Sequence, residues 1–142
     1  MKTSPTLSIM ERILCLRRVP LFSGFTPADL KQVAAITGEH FFVDGDLIAG
    51  QDEPGDEMFI IVSGKVKVVQ KNGGVEKMVA LRGPGEYVGE MSIITQEPRM
   101  ASLVAQGDVR LLCISQKQFQ SILRERPDTS LAVMRELINR LK

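Results

Sequence analysis

The apolar positions change their period twice along the chain. From Ser8 to Arg17, the residues Ile9, Ile13, Leu14 and Leu16 recur at helical spacing, and Pro20 stops the helix they predict. A second helix start follows at Thr26-Pro27-Ala28-Asp29: Thr26 offers a capping hydroxyl, Pro27 suits the first turn, and Asp29 favours the positive helix end. Leu30, Val33, Ala34 and Ile36 continue that helix, with Gly38 as its predicted stop. From His40 the pattern shortens to β-rich runs: His40–Val43, Met58–Val62, Val66–Gln70, Val75–Leu81, Ser102–Ala105 and Val109–Ile114. Glycine-bearing turns punctuate these runs, and Ser63-Gly64 and Asn72-Gly73 read as hairpin turns. Beyond Ser115 the helical period returns in Gln118, Phe119, Ile122 and Leu123. Pro127 interrupts, Asp128-Thr129-Ser130 supplies caps, and Leu131, Met134, Ile138 and Leu141 predict a last helix over Asp128–Lys142. Short strands at near-regular spacing between helical ends imply a β-sandwich or barrel, not βαβ units.

Composition narrows this little. The chain has 142 residues, 44% hydrophobic and 25% charged, with a net charge of +1, the profile of one globular domain with a real core. No charge excess calls for nucleic acid or lipid as a partner. The N-terminus Met1-Lys2-Thr3-Ser4-Pro5 lacks a signal-peptide apolar stretch, and runs such as Met58–Val62 are too short to span a bilayer. Cys15 and Cys113 lie in apolar surroundings and read as buried free thiols, which suits a reducing compartment. A cytoplasmic location is expected, although the chain equally suits a soluble piece of a larger membrane protein.

Catalytic chemistry finds no foothold, so the chain is read as a non-enzyme. A metal-dependent jelly-roll enzyme normally needs several imidazoles, whereas His40 is the sole histidine and sits beside Phe41-Phe42, where a structural role is expected. There is no Cys-x-x-Cys and no Gly-x-Ser-x-Gly, and Glu86 and Glu90 read as unrelated carboxylates rather than an acid–base pair. No resident metal or cofactor is expected.

The unusual stretch is 85–102. Glu90–Ile94 has the look of one helical turn set among strands, with Gly89 before it and Pro98-Arg99 leading into the next strand. Unpaired N–H groups at such a turn attract an anion, Gly89 permits close approach, and Arg99 returns a planar fork suited to phosphate oxygens. A phosphate would repel the Glu90 carboxylate, but a sugar hydroxyl would be accepted by it. The set therefore suits a ligand carrying phosphate and hydroxyl side by side. Arg99, as a pocket-facing group, is expected to contribute little to the core.

These residues resemble the phosphate-binding cassette of cyclic-nucleotide-binding domains. The sequence Val88-Gly89-Glu90-Met91-Ser92-Ile93-Ile94, then Pro98-Arg99-Met100-Ala101-Ser102, follows that family's Gly-Glu, short apolar helix and Pro-Arg-Ala-Ala-Ser/Thr pattern. Pro20-Leu21-Phe22 with Asp29-Leu30, and the stretch Gly55–Gly64, resemble the family's helical entry and mid-roll strand. The likeness covers residues 18–142, with 1–17 as an N-terminal helical segment. It implies a mainly β fold: an antiparallel, jelly-roll-like β-roll of roughly eight strands, with an N-terminal helical pair, an internal short helix and two C-terminal helices. It implies a regulatory sensor that binds cyclic AMP, with cyclic GMP as the second candidate, and signals through its last helix. Glu90 would take the ribose 2′-hydroxyl and Arg99 the exocyclic phosphate oxygens. The backbone near Gly89, Met91 and Ser92 would complete the cradle, while Met100, Ala101 and Ser102 would flank the pocket and Leu137 would cover the base. Met100 departs from the family's Ala, Ser or Thr, and its lack of a hydroxyl disfavours cyclic GMP. The effector is expected on another chain or segment, with no direct nucleic-acid or membrane contact here. Leu131, Met134 and Ile138 would support a weak homodimer. The rival reading is a non-binding scaffold or dimerisation domain on a degenerate roll, with Glu90 and Arg99 merely paired to each other.

Overall fold

The computed structural model describes residues 6–141, apart from the side chains at 92–94 and 141. Helix α1 (Ile9–Arg17) and helix α2 (Pro27–Ile36) both start in capping boxes, where Ser8 pairs reciprocally with Glu11 and Thr26 with Asp29. A single 3-10 turn, Pro20–Phe22, joins them. Helix α2 ends at Ile36 with Thr37 as its C-cap, and Gly38 already begins the first strand, so Gly38 is not the helix stop expected from sequence. The hydroxyl of Thr37 donates to the Ala34 carbonyl and satisfies the helix end without a glycine.

The strands are β1 (Gly38–Phe42), β2 (Leu47–Ala49), β3 (Glu57–Asn72), β4 (Val75–Arg82), β5 (Tyr87–Val88) and β6 (Ser102–Ser115), all paired antiparallel. Their order is β1-β6-β3-β4, with β2 also on β6 and β5 also on β3. Among the described residues, six strands replace the expected eight because two long strands each take in two of the β-rich runs: β3 holds Met58–Val62 and Val66–Gln70, and β6 holds Ser102–Ala105 and Val109–Ile114. Ser63-Gly64 is therefore a bulge within β3 and not a hairpin turn, with register shifts on either side of Ser63. Gly64 has φ +85°, and a Cβ there would run into the Asp108 carbonyl, so only glycine lets the two strands bend together. The hairpin expected at Asn72-Gly73 does form, closing β3 onto β4 with Asn72 opposite Val75.

Alternation along the long strands divides the core in two. Phe59, Ile61, Leu111 and Cys113 point into the roll with Val66, Val88 and Leu103. Met58, Ile60, Leu112 and Ile114 point outward against Leu16, Phe22, Val33, Phe119 and Val133 from the helices. Burial pushes the Cys113 thiol up to about 12, so it is protonated at neutral pH, and both cysteines are free.

Three helices complete the frame: α3 (Glu90–Thr95), α4 (Gln116–Glu125) and α5 (Pro127–Leu141). Pro127 opens α5 at its first turn instead of merely separating two helices, and the Thr129 hydroxyl donates to the Arg126 carbonyl. Arg126 also pairs with the buried Asp29 at 2.7 Å, tying the α4–α5 junction to α2. Along α5, Val133 is buried and Leu137 packs beside it, whereas Leu131, Met134 and Ile138 are 47%, 51% and 58% exposed. No helix among the described residues is long and apolar enough to cross a membrane.

Candidate functional site

The site grows from the junction of β5 and α3. Strand β5 pairs with Phe59 and Ile60, which fixes where the chain leaves the sheet. Gly89 then turns with φ +81° into α3. A Cβ on Gly89 would lie 2.8 Å from Arg99 Nη1 and 3.2 Å from the Glu57 carbonyl, so glycine is needed here for both backbone angle and close approach.

Arg99 is 6% exposed. Its Nη2 donates to the Glu57 carbonyl at 2.9 Å, and its guanidinium lies 5.4 Å from the Phe59 ring centre. Its own backbone is held on both sides, with Asp52 N–H donating to the Arg99 carbonyl and Arg99 N–H to the Glu53 carbonyl. Arg99 is thus part of the packed wall, contrary to the expectation that it contributes little to the core. Burial lowers its pKa from the ordinary value, opposed by Asp56, Glu57 and Glu53, and a guanidinium so placed stays charged.

Glu90 is 8% exposed and pairs with Arg140 of α5 at 3.3 Å, not with Arg99. Burial raises its pKa above the ordinary carboxylate value, while Arg140 and the N–H groups of Glu90 and Met91 pull it back. Its Oε2 is buried without a hydrogen-bond partner of good geometry. Arg140 also donates from Nη2 to the Tyr87 carbonyl at 2.9 Å and lies 4.0 Å over the Tyr87 ring.

Between these groups lies a cleft of about 420 Å³. Gly89, Glu90, Met91, Arg99, Met100, Ala101 and Leu137, all singled out from sequence, line it. Ser92 lies in α3, and its side chain is outside the described residues. Ser102 opens β6, but its Oγ accepts from the Gln51 N–H at 2.9 Å and does not line the cleft. Sequence reasoning missed Arg140 and the apolar walls Val68, Val79 and Leu103. The available signal was spacing: Arg140 stands three residues after Leu137 and shares its helix face. An apolar slot that holds the Arg99 guanidinium beside a buried Glu90 carboxylate, itself paired with Arg140, can take an anion and a neighbouring hydroxyl together.

The cyclic nucleotide-binding domain family model matches residues 39–126, more than half of the chain. The chain belongs to the cyclic nucleotide-binding domain family. The CRP-like cAMP-activated global transcriptional regulator of Mycobacterium tuberculosis is 33% identical over 94% of this chain and 59% of that protein. The chain therefore spans less than two thirds of that relative. Among solved structures, the regulatory domain of Toxoplasma gondii PKA in complex with cAMP superposes with a TM-score of 0.80 at 25% identity, over 89% of this chain and 49% of that one. The regulatory subunit of a cAMP-independent protein kinase A from Trypanosoma brucei superposes equally well, with TM-score 0.80 and 27% identity over 89% of this chain and 46% of that one. The antiparallel β-roll with flanking helices is shared with these two kinase regulatory structures.

Proposed function

We propose that this cyclic nucleotide-binding domain is a cytoplasmic sensor that binds cyclic AMP in preference to cyclic GMP and reports binding through α5. The observation that carries the reading is the pair of buried, oppositely charged side chains that face one cleft without pairing to each other. Arg99 is anchored on the Glu57 carbonyl, and Glu90 Oε2 makes no hydrogen bond of good geometry although Arg140 and the N–H groups of Glu90 and Met91 lie near its carboxylate. A buried acceptor left open costs about 1–3 kcal/mol, which a ribose 2′-hydroxyl would relieve. The cyclic phosphate would then meet the guanidinium and the N–H groups around Gly89 and Met91, and the base would lie toward Met100, Ala101 and Leu137.

The likeness to a cAMP-independent kinase subunit means that the roll alone does not decide between a binder and a scaffold. What favours the binder is the retention of Gly89, Glu90 and Arg99 around an open cleft. Preference for cyclic AMP follows from Met100, which lines the cleft and has no hydroxyl for a guanine amino group. The lid role of α5 follows from Leu137 and Arg140, which close one side of the cleft. Isothermal titration with both nucleotides tests the reading: cyclic AMP should bind, and more tightly than cyclic GMP. Absence of binding by either would leave the scaffold reading standing.

A further inference from the structure

His40, Glu57 and Cys113 stand on three neighbouring strands, β1, β3 and β6. Cys113 is opposite both Gly38 and Phe59, so His40, two residues after Gly38, and Glu57, two before Phe59, share its face of the sheet. That is the inner face, where Cys113 packs with Phe59, Ile61 and Leu111. An imidazole and a carboxylate interrupt an otherwise apolar row there. One nitrogen, one oxygen and the sulfur of these three residues all lie within 4.8 Å of one another. Among the described residues, no other three His, Cys, Asp or Glu side chains meet so closely. Their exposure is graded from exposed His40 through half-buried Glu57 to buried Cys113, so the cluster opens to solvent on the His40 side.

We propose that His40, Glu57 and Cys113 form a binding site for one zinc-class transition-metal ion, with the fourth position open to water. Thiolate and imidazole together select zinc and its neighbours over magnesium or calcium, which take oxygen ligands. Tetrahedral zinc with ordinary bond lengths holds its ligand atoms about 3.3–3.6 Å apart. Closing from at most 4.8 Å therefore takes side-chain rotation, which the exposed His40 permits while the strands stay fixed. Binding transfers the thiol proton to solvent as the sulfur–metal bond forms. None of the three side chains lines the nucleotide cleft, which Glu57 meets only through the backbone carbonyl that holds Arg99, so the site stands whether or not cyclic AMP is the ligand there.

The test is titration of the full, reduced chain with cobalt(II), followed by displacement with zinc(II). A near-ultraviolet thiolate-to-cobalt band is expected, bleached by equimolar zinc. Cys113→Ser should remove the band and Cys15→Ser should leave it unchanged. His40→Ala, an exposed position whose loss spares the core, should weaken cobalt binding at least about tenfold, the loss that outer-shell changes already cause. If Cys113→Ser does not fold, His40→Ala alone decides. Absence of the band in the wild type, its survival in Cys113→Ser, or unchanged affinity in His40→Ala would overturn the proposal.

Discussion

The Arg140 guanidinium lies 3.3 Å from the Glu90 carboxylate, so the end of the last helix is latched onto the first residue of α3. The same guanidinium donates to the Tyr87 carbonyl and stacks on the Tyr87 ring, so one side chain joins α5 to both flanks of Gly89. Arg140→Ala should loosen α5 by about 1–2 kcal/mol, the scale of one charge-assisted hydrogen bond and a cation–π contact at a partly exposed site. Hydrogen exchange checks this: amides of α5 should exchange faster while those of α2 stay as they were. Equal protection of α5 in both proteins would show that Val133 and Leu137 hold the helix unaided.

The latch also shows what a sequence conceals. The cassette was legible because its chemistry is local: Gly89, Glu90 and Arg99 fall within one short stretch whose residue types make sense only together. The Thr26 cap was legible for the same reason, whereas the pairing of Ser8 with Glu11 and of Asp29 back to Thr26 came only with the structure. Arg140 was not, since its partner lies fifty residues earlier and an arginine on an amphipathic helix ordinarily faces water. Gly64 was misread because a glycine between two apolar runs looks alike in a hairpin and in a bulge. Only the continued pairing of β3 with β6 separates the two. The His40, Glu57 and Cys113 cluster depends on the register of three strands, which no local pattern encodes.

Glu90 should make nucleotide binding depend on pH. Burial raises its pKa, so it takes up a proton at higher pH than an ordinary carboxylate does. A ligand hydroxyl that donates to the ionised form favours that form, so binding expels the proton. Affinity should therefore hold near neutrality and fall as pH drops through the raised Glu90 pKa, by up to about tenfold per pH unit. Titration calorimetry across pH reads the profile, and Glu90→Gln should flatten it. The same donor–acceptor bond predicts weaker binding of 2′-deoxy cyclic AMP, by roughly 5- to 150-fold for an acceptor left unpaired at about 1–3 kcal/mol. Equal binding of the two ligands would assign Glu90 solely to the Arg140 latch.

Gly89→Ala should damage the site before it damages the fold. A side chain at φ +81° costs about 1–2 kcal/mol. Its methyl would also press on Arg99 Nη1 from 2.8 Å. Urea unfolding should shift by about the backbone cost alone, while cyclic AMP affinity should fall further than that shift explains. A variant that binds normally would show that Arg99 has slack the packing around it does not suggest.

Met100 is 65% exposed at the cleft edge, so its replacement should leave stability nearly unchanged. Met100→Thr places a hydroxyl where a guanine amino group can meet it, and the ratio of cyclic GMP to cyclic AMP affinity should rise. Competition binding of the two nucleotides measures that ratio directly. A wild-type domain that already prefers cyclic GMP would place base selection elsewhere, with α5 the nearest element.

Arg99, held by the Glu57 carbonyl and Phe59, is the proposed anchor for a cyclic phosphate. Calorimetric titration of the wild type and Arg99→Ala with cyclic AMP, each checked by its unfolding transition, tests it most directly. Wild type should bind, and folded Arg99→Ala should bind roughly 10- to 150-fold more weakly, for a charge-assisted hydrogen bond of about 1.5–3 kcal/mol. A wild type that gives no binding, or an Arg99→Ala variant that binds as tightly, would contradict the account.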